Sequence, residues 1–418
     1  MKKPPSYYPL LVVYALCFYA VFVLVKVLTA LGWPRQRRTN GNRVLFLECM
    51  GPPSAGFRHR SQGWVNALNT NGREAVCWFV LPYNQQWKLQ QTASGMLRLQ
   101  LIYLFKRFVQ CFKSAQFDTA IVRRELLLYN DYGRLFFEKW MRRIHTNLIL
   151  DVDDDIGAAK REPRRISAFG KAMMEEPEKF KSSLRYYDRV VAASDYLKRL
   201  FVSYGNGPKE SDVFVVPTCV DYYKQRRKVY GRQTNATRIG WVGSAYNLHN
   251  LYSVYPALDE LSLSREIELV VICNAVPKSA DFPVTFVEWN EVDELGNLLQ
   301  IDVGIMPLVD TDISKGKGGF KLIQYMGCGI VSVATALTIN KEIVTDGVNG
   351  FLVNHRGDWT RVLCEVLNQK ERFESIGARA AETIRQRYSY EAHLNQYLQI
   401  LNATPVERME SPNHQPVK

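Results

Sequence analysis

The sequence contains no C-x-x-C pair. Its eight cysteines stand singly at positions 17, 49, 77, 111, 219, 273, 328 and 364. That spacing excludes a zinc ribbon, a thioredoxin motif and a small disulfide scaffold, and suits small core residues in a reducing compartment. No G-x-x-x-x-G-K-S/T run occurs, so there is no Walker A loop. No G-x-G-x-x-G follows the first apolar run either, which disfavours a Rossmann oxidoreductase. Zinc-finger, RRM and helix-turn-helix signatures are also missing, so the formal charge of +13 does not read as nucleic-acid binding. Internal repeats and low-complexity tracts are absent. Acidic residues are missing altogether from positions 1–38, which hold six of the 54 Lys and Arg; the rest of the chain carries only +7. Such a modest excess fits an enzyme with anionic substrates or a seat on anionic lipid.

What is present is ordinary globular composition: 47% apolar and 23% charged residues over 418 positions, too long for a single core and suggesting two or three domains. Pro4–Val25 contains no charge, and Tyr7–Val25 is almost wholly apolar. At ~1.5 Å per residue this run is about 28 Å long, close to the thickness of a bilayer core. No face of it is polar, and it is longer than the apolar part of a signal peptide. Residues 1–38 therefore read as a membrane anchor with a basic flank, spanning or deeply embedded. Lys2 and Lys3 precede it, while Lys26, Arg35, Arg37, Arg38 and Arg43 follow, so the positive-inside bias places the remainder in the cytoplasm, at the cytoplasmic (inner) membrane.

Apolar runs then alternate with helical stretches at 43–50, 75–81, 119–122, 147–151, 189–193 and 213–217, the pattern of a parallel sheet covered on both faces. The polar, basic stretch 223–237 is the boundary. The alternation restarts at 238–244, 267–273, 285–289, 301–308 and 330–334. The expectation is an α/β chain of two doubly wound Rossmann-like domains, 39–222 and 238–380. A helical region 381–402 returns to the first domain, with Tyr388, Tyr390 and Leu394 buried there, and a disordered tail occupies 403–418. The basic, aromatic stretch 95–115 reads either as a helix on the membrane surface or as one packed on the sheet with Lys106 and Arg107 snorkelling. In doubly wound sheets ligands bind beyond the carboxyl ends of the strands, so attention falls on the loops after Cys49, Asp151, Gly243, Leu308 and Ala334.

The loop at 315–321 holds Lys315, Lys317 and Lys321 among Gly316, Gly318, Gly319 and Phe320, between a strand and a helix. Such a loop brings backbone amides, a helix N-terminus and ammonium groups to an anion. KGGFKLIQYMGCGIVSVA, followed by NKEIVTDGVNGFLV, resembles the donor-site segment of the retaining glycosyltransferases of the GT-B fold, family 4 (group 1). RIGWVGS, VFVVPTCVD, DVDDDIG and VVAASDYLKRLF resemble further segments of that family in the same order, over residues 42–400. The family's E-x7-E glutamates would fall on Gly316 and Gln324, so both carboxylates are missing. A subgroup with K-x3-K-x2-Q-Y-M is similar to this sequence at Lys317, Lys321 and Gln324.

The resemblance implies an acceptor-side first domain and a nucleotide-sugar donor domain. It implies that Gln324 hydrogen-bonds ribose hydroxyls in place of the second glutamate. Lys317, Lys321, Lys315 and amides near Gly318–Phe320 and Gly243–Ser244 would meet the donor diphosphate, and Trp289 would lie where the base is read. In GPPSAGFRHR, Gly56, Arg58 and Arg60 match the glycine-rich acceptor-side loop; ordinary surface arginines are the alternative. Asp153 and Asp154 either face the reacting sugar, with Lys321 as a catalytic partner, or are loop and N-cap carboxylates. No metal or other cofactor is expected, since these cations suffice for a departing diphosphate. The function expected is nucleotide-sugar-dependent, hexosyltransferase-type transfer to a carbohydrate or lipid-linked acceptor, in surface polysaccharide or lipopolysaccharide assembly, with membrane lipid but not nucleic acid as a partner. A catalytically silent membrane scaffold with the same fold is the alternative.

Overall fold

The structure is a computed structural model that describes residues 8–35, 41–161, 177–224, 226–231 and 236–403. Lys2, Lys3, Arg37 and Arg38, part of the linker at 223–237, and all of the expected tail except Ala403 lie outside the described residues. Two parallel six-stranded sheets form the frame. The first contains β1 (Arg43–Glu48), β2 (Glu74–Phe79), β3 (Thr119–Arg123), β4 (Leu148–Val152), β5 (Arg189–Ala192) and β6 (Val213–Val215), in spatial order β2-β1-β3-β4-β5-β6. The second contains β7 (Thr237–Gly243), β8 (Ile267–Cys273), β9 (Val284–Glu288), β10 (Val303–Met306), β11 (Val331–Thr335) and β12 (Phe351–Val353), in order β12-β11-β10-β7-β8-β9. The central strands of both sheets are buried on two faces, which explains their unbroken apolar sequence. In each sheet the order reverses beside the first strand, and the crevice at such a switch point is where ligands sit.

The two domains share the C-terminal helices. The helix Phe373–Arg387 packs on the second domain, and Tyr388 is buried at the seam, beside Met306 of the second domain and Val220 of the first, whose amide donates to the Tyr388 carbonyl at 2.9 Å. One residue later the chain crosses. The helix Tyr390–Asn402 covers the first sheet, where Tyr390 and Tyr397 are buried with Trp64 and the half-buried Leu394 packs against them. The Trp64 and Tyr397 rings stack at 3.9 Å, and the Leu401 carbonyl accepts from the Asn147 side chain at 2.9 Å.

The N-terminal helix Tyr8–Ala30 lies along the first domain. Tyr14, Phe18, Val21 and Val25, spaced three or four apart, are buried against it, and the Tyr14 hydroxyl donates to the Asn130 carbonyl at 2.7 Å. The opposite face is exposed. The helix is long and apolar enough to cross a membrane, by length and composition. Beside it runs Ala93–Lys113, an amphipathic helix packed on the sheet. Its Arg107 does not snorkel: it is fully buried and donates to the Leu126 and Glu48 carbonyls at 2.8 and 3.0 Å. Lys106 stays exposed, with its ammonium reaching back to the Val80 carbonyl.

Candidate active site between the two domains

The carboxyl ends of β1, β3 and β4 bring Glu48, Arg123 and Asp151 together beneath the crevice. A π-helical turn, Phe57–Gln62, lowers Arg60 onto them. Arg60 grips Asp151 with two hydrogen bonds of 3.0 and 2.7 Å and gives a third to the Val216 carbonyl. It is fully buried, so this expected acceptor-side arginine is floor, not surface. Glu48 accepts from the Ser61 hydroxyl at 2.6 Å and from the Cys49 amide at 2.9 Å. Arg123 reaches Asp153 at 2.5 Å and lies 3.7 Å from Asp151, while Gly56 sits over its guanidinium.

Asp153 and Asp154 follow β4 at the crevice. Burial acts to raise the Asp153 carboxyl, but Arg123 and Arg124 outweigh it and hold it below the ordinary range. Asp154 pairs with Arg124 at 3.1 Å, and burial together with the Asp153 charge pushes it up. Of the two, Asp153 is the one whose charged form its neighbours favour.

The facing wall comes from β7, the loop after β10 and the helix Phe320–Gly327. Lys321, in the first turn of that helix, holds its Nζ 4.1 Å above the Trp241 ring. Burial, then the charge of Lys317, pushes this ammonium well below the ordinary lysine value. No carboxylate pairs with it among the described residues. Gly243 is required here: a Cβ would lie 2.9 Å from the Lys321 Nζ and closer still to the indole. Lys317 donates to Asn247 at 2.6 Å, in the loop that begins with the exposed Ser244. Lys315 turns away to an exposed pair with Asp310 at 3.2 Å. Gly319, at φ +68°, opens the helix, and the ring of Phe320 lies 4.4 Å from that of His59 across the crevice. Burial and the Arg58 charge push His59 down to about 3, so it is neutral.

Besides these two rings, the walls touch at two further places among the described residues. At Gly316 a Cβ would fall 2.6 Å from that of Asp155 and 2.8 Å from its amide nitrogen, so no larger residue fits. Gly318, next to it, faces the Asp153 carbonyl and Thr218. The second contact is Glu294. It receives Arg58 through bonds of 2.7 and 3.1 Å, the Trp289 indole N–H at 3.0 Å and the Gln324 amide at 3.2 Å. Burial alone would raise Glu294, but these donors, Arg58 foremost, hold it below the ordinary carboxylate value. The expected residues Arg58, Trp289 and Gln324 thus converge on a carboxylate that the sequence did not single out. Glu294 lies in the polar stretch NEVDE, which looks like any solvated turn, and its partner Arg58 is 236 positions away. Arg123 and Trp241 were missed for a similar reason, since each reads as an ordinary strand residue.

The crevice therefore joins a floor of mutually paired charges to a wall bearing a desolvated ammonium and a helix N-terminus, a combination suited to an anion carrying a polar, uncharged group. Residues 236–369 match the family described as Glycosyl transferases group 1. No curated protein sequence matches the chain. Among solved structures, Anabaena HepE in complex with UDP and glucose superposes with a TM-score of 0.61 at 14% identity, covering 86% of this chain and 99% of that one. The sucrose-phosphate synthase of Thermosynechococcus elongatus gives 0.62 at 12%, covering 86% and 98%. The catalytic domain of starch synthase IV from Arabidopsis thaliana, bound to ADP and acarbose, gives 0.60 at 9%, covering 87% and 99%. Residues 236–369 are thus similar to a group 1 glycosyltransferase domain, within a chain that has the two-domain GT-B fold.

Proposed function

We propose that this chain is a glycosyltransferase that moves a sugar from a nucleotide-sugar donor to a carbohydrate or lipid-linked acceptor at the cytoplasmic face of a membrane, with retention of anomeric configuration, in surface polysaccharide or lipopolysaccharide assembly. The observation that carries the reading is Lys321. An ammonium that is desolvated and has no carboxylate partner among the described residues is costly to fold, and an incoming diphosphate repays that cost. Lys317 and the amides around Gly318–Phe320 would extend the same cradle, so charge developing on the leaving diphosphate is met without a resident metal. Gln324 gives its amide hydrogens to Glu294, which leaves its carbonyl oxygen to accept from a ribose hydroxyl. Asp153, held ionised at the opposite wall, would face the sugar as positive charge develops on it. UDP and ADP complexes of similarly folded proteins support a nucleotide at this position.

One observation favours the silent-scaffold alternative: the space at Gly316 is filled by Asp155, so no carboxylate can stand there. Incubating the purified chain with a panel of sugar nucleotides and membrane extract decides between them. Transfer seen by mass spectrometry, with an NMR-assigned anomer matching that of the donor, is expected. Nucleotide binding with neither transfer nor donor hydrolysis would establish the scaffold.

A further inference from the structure

At the amino ends of the first sheet, opposite the crevice, a cavity of about 880 Å³ opens between the second half of the N-terminal helix and the helix Phe136–Ile144. Six cations line it, and five of them, Lys26, Arg134, Lys139, Arg143 and Arg185, stand apart from Arg142, which is paired with Asp188. None of these five has a carboxylate partner among the described residues. The acids nearest in space are otherwise engaged. Glu138 is buried, Asp131 accepts the Gly133 and Leu135 amides, and Asp188 holds Arg142 at 2.5 Å. The rest of the wall is aromatic and aliphatic, with Phe22, Val25, Trp140 and Tyr186. Lys139 shows how close these charges stand: burial first, then Arg185 and Lys26, push its ammonium below the ordinary lysine value.

The same side of the domain carries an apolar face. On the N-terminal helix Val12, Leu16, Val23 and Val27, and just after it Leu31, are each half or more exposed. Phe105 and Val109 continue the surface on the neighbouring helix. A patch of this kind, ending in a basic cavity, is complementary to one sort of partner: an amphiphile whose hydrocarbon meets the helix faces and whose anionic head meets the cations.

We propose that this cavity binds the phosphate headgroup of an anionic membrane phospholipid, with the two helices seated in the same leaflet. Because the cavity lies at the amino ends of the strands, the lipid held there is not the reacting acceptor. It fixes the first domain on its side, so that the crevice opens along the membrane surface. The proposal rests on the reading that the N-terminal helix meets a membrane, and adds the site and the lipid class.

The test uses the full chain in flotation with two kinds of vesicle, phosphatidylcholine alone and phosphatidylcholine mixed with phosphatidylglycerol. The wild type should prefer the anionic vesicles. Lys139→Gln, Arg143→Gln and Arg185→Gln together should weaken that preference about 100-fold, at about five-fold per basic residue near an anionic surface. All three side chains are exposed, so folding is preserved. A matched loss of charge on the second domain, Lys278→Gln, Arg356→Gln and Lys370→Gln, should leave the preference nearly intact. Soluble inorganic phosphate should compete poorly, because it lacks the hydrocarbon; full competition would make the site one for free phosphate and overturn the lipid assignment. Equal losses in the two triple variants would overturn the cavity and leave membrane contact standing. Absence of binding to either vesicle by the wild type would overturn both, while donor hydrolysis in solution would still report on the transferase reading.

Discussion

The two walls of the crevice handle charge in opposite ways. In the first domain, Glu48, Asp151 and Asp153 surround Arg60 and Arg123 within about 4 Å, all but Asp153 almost out of contact with water. In the second, Lys321 stands desolvated over an indole with Lys317 as a like-charged neighbour. A closed network of buried ions gives shape and rigidity, and removing one member is costly because the rest are left uncompensated. An isolated buried cation does the reverse: it weakens the fold until an anion arrives. The floor is therefore built for stability and the wall for binding, and substitutions on the two sides should fail differently.

The largest effect should follow Asp151→Ala, which strands Arg60 and Arg123 in the floor. A loss of about 3–5 kcal/mol of stability is expected in chemical denaturation. A near-normal midpoint would mean that the floor is not the rigid element. Lys321→Ala should cost about 2–4 kcal/mol of transition-state stabilisation, about 30- to 1000-fold in kcat/KM for donor hydrolysis, with unchanged or higher thermal stability. Lys321→Arg should restore little, since a planar guanidinium does not replace a compact ammonium in a tight turn. If Lys321→Ala melts earlier yet turns over normally, the comparison is inverted.

His59 sharpens the comparison at the seam. Its folded value of about 3 lies below the 6.5 of a free imidazole, so the unfolded chain binds the extra proton first. Stability on its account is complete above 6.5 and falls as the pH drops towards 3, by up to about 1.4 kcal/mol per pH unit. Between pH 6.5 and 5 the loss should reach about 2 kcal/mol, and His59→Gln should flatten that stretch of the denaturation profile. The smallest effect is expected from Gln324→Ala: a rise in donor KM of about 3- to 10-fold, from one lost hydrogen bond of about 1 kcal/mol, with kcat little changed. A fall in kcat alone would move Gln324 from the ribose to the reacting sugar.

Much of the fold was legible because parallel strands buried on both faces leave unbroken apolar runs. Eleven of the strands stand where such runs predicted them. β12 did not, since Phe351–Val353 is only three residues long and its sequence reads as the end of a turn. That Lys321 and Gln324 would share one helix was legible from the loop and the segment that resembles the donor site. Arg60 and Arg107 were not, because an arginine buried by distant carbonyls and carboxylates looks locally like one in water. Glu294 was hidden for the same reason, being defined by a partner in the other domain. The N-terminal helix is apolar all round, so its buried stripe from Tyr14 to Val25 left no polar face to reveal it.

The return of Tyr390–Asn402 to the first sheet has a consequence for biosynthesis. The first domain is translated early, yet Trp64 and its neighbours receive their cover only from the end of the chain. A ribosome adding about 5–20 residues per second leaves that apolar groove open for many seconds while the second domain is made. A nascent chain halted before Tyr390 should therefore present a sticky first domain that chaperones recognise. Completing the last helix is then what releases the protein from their custody.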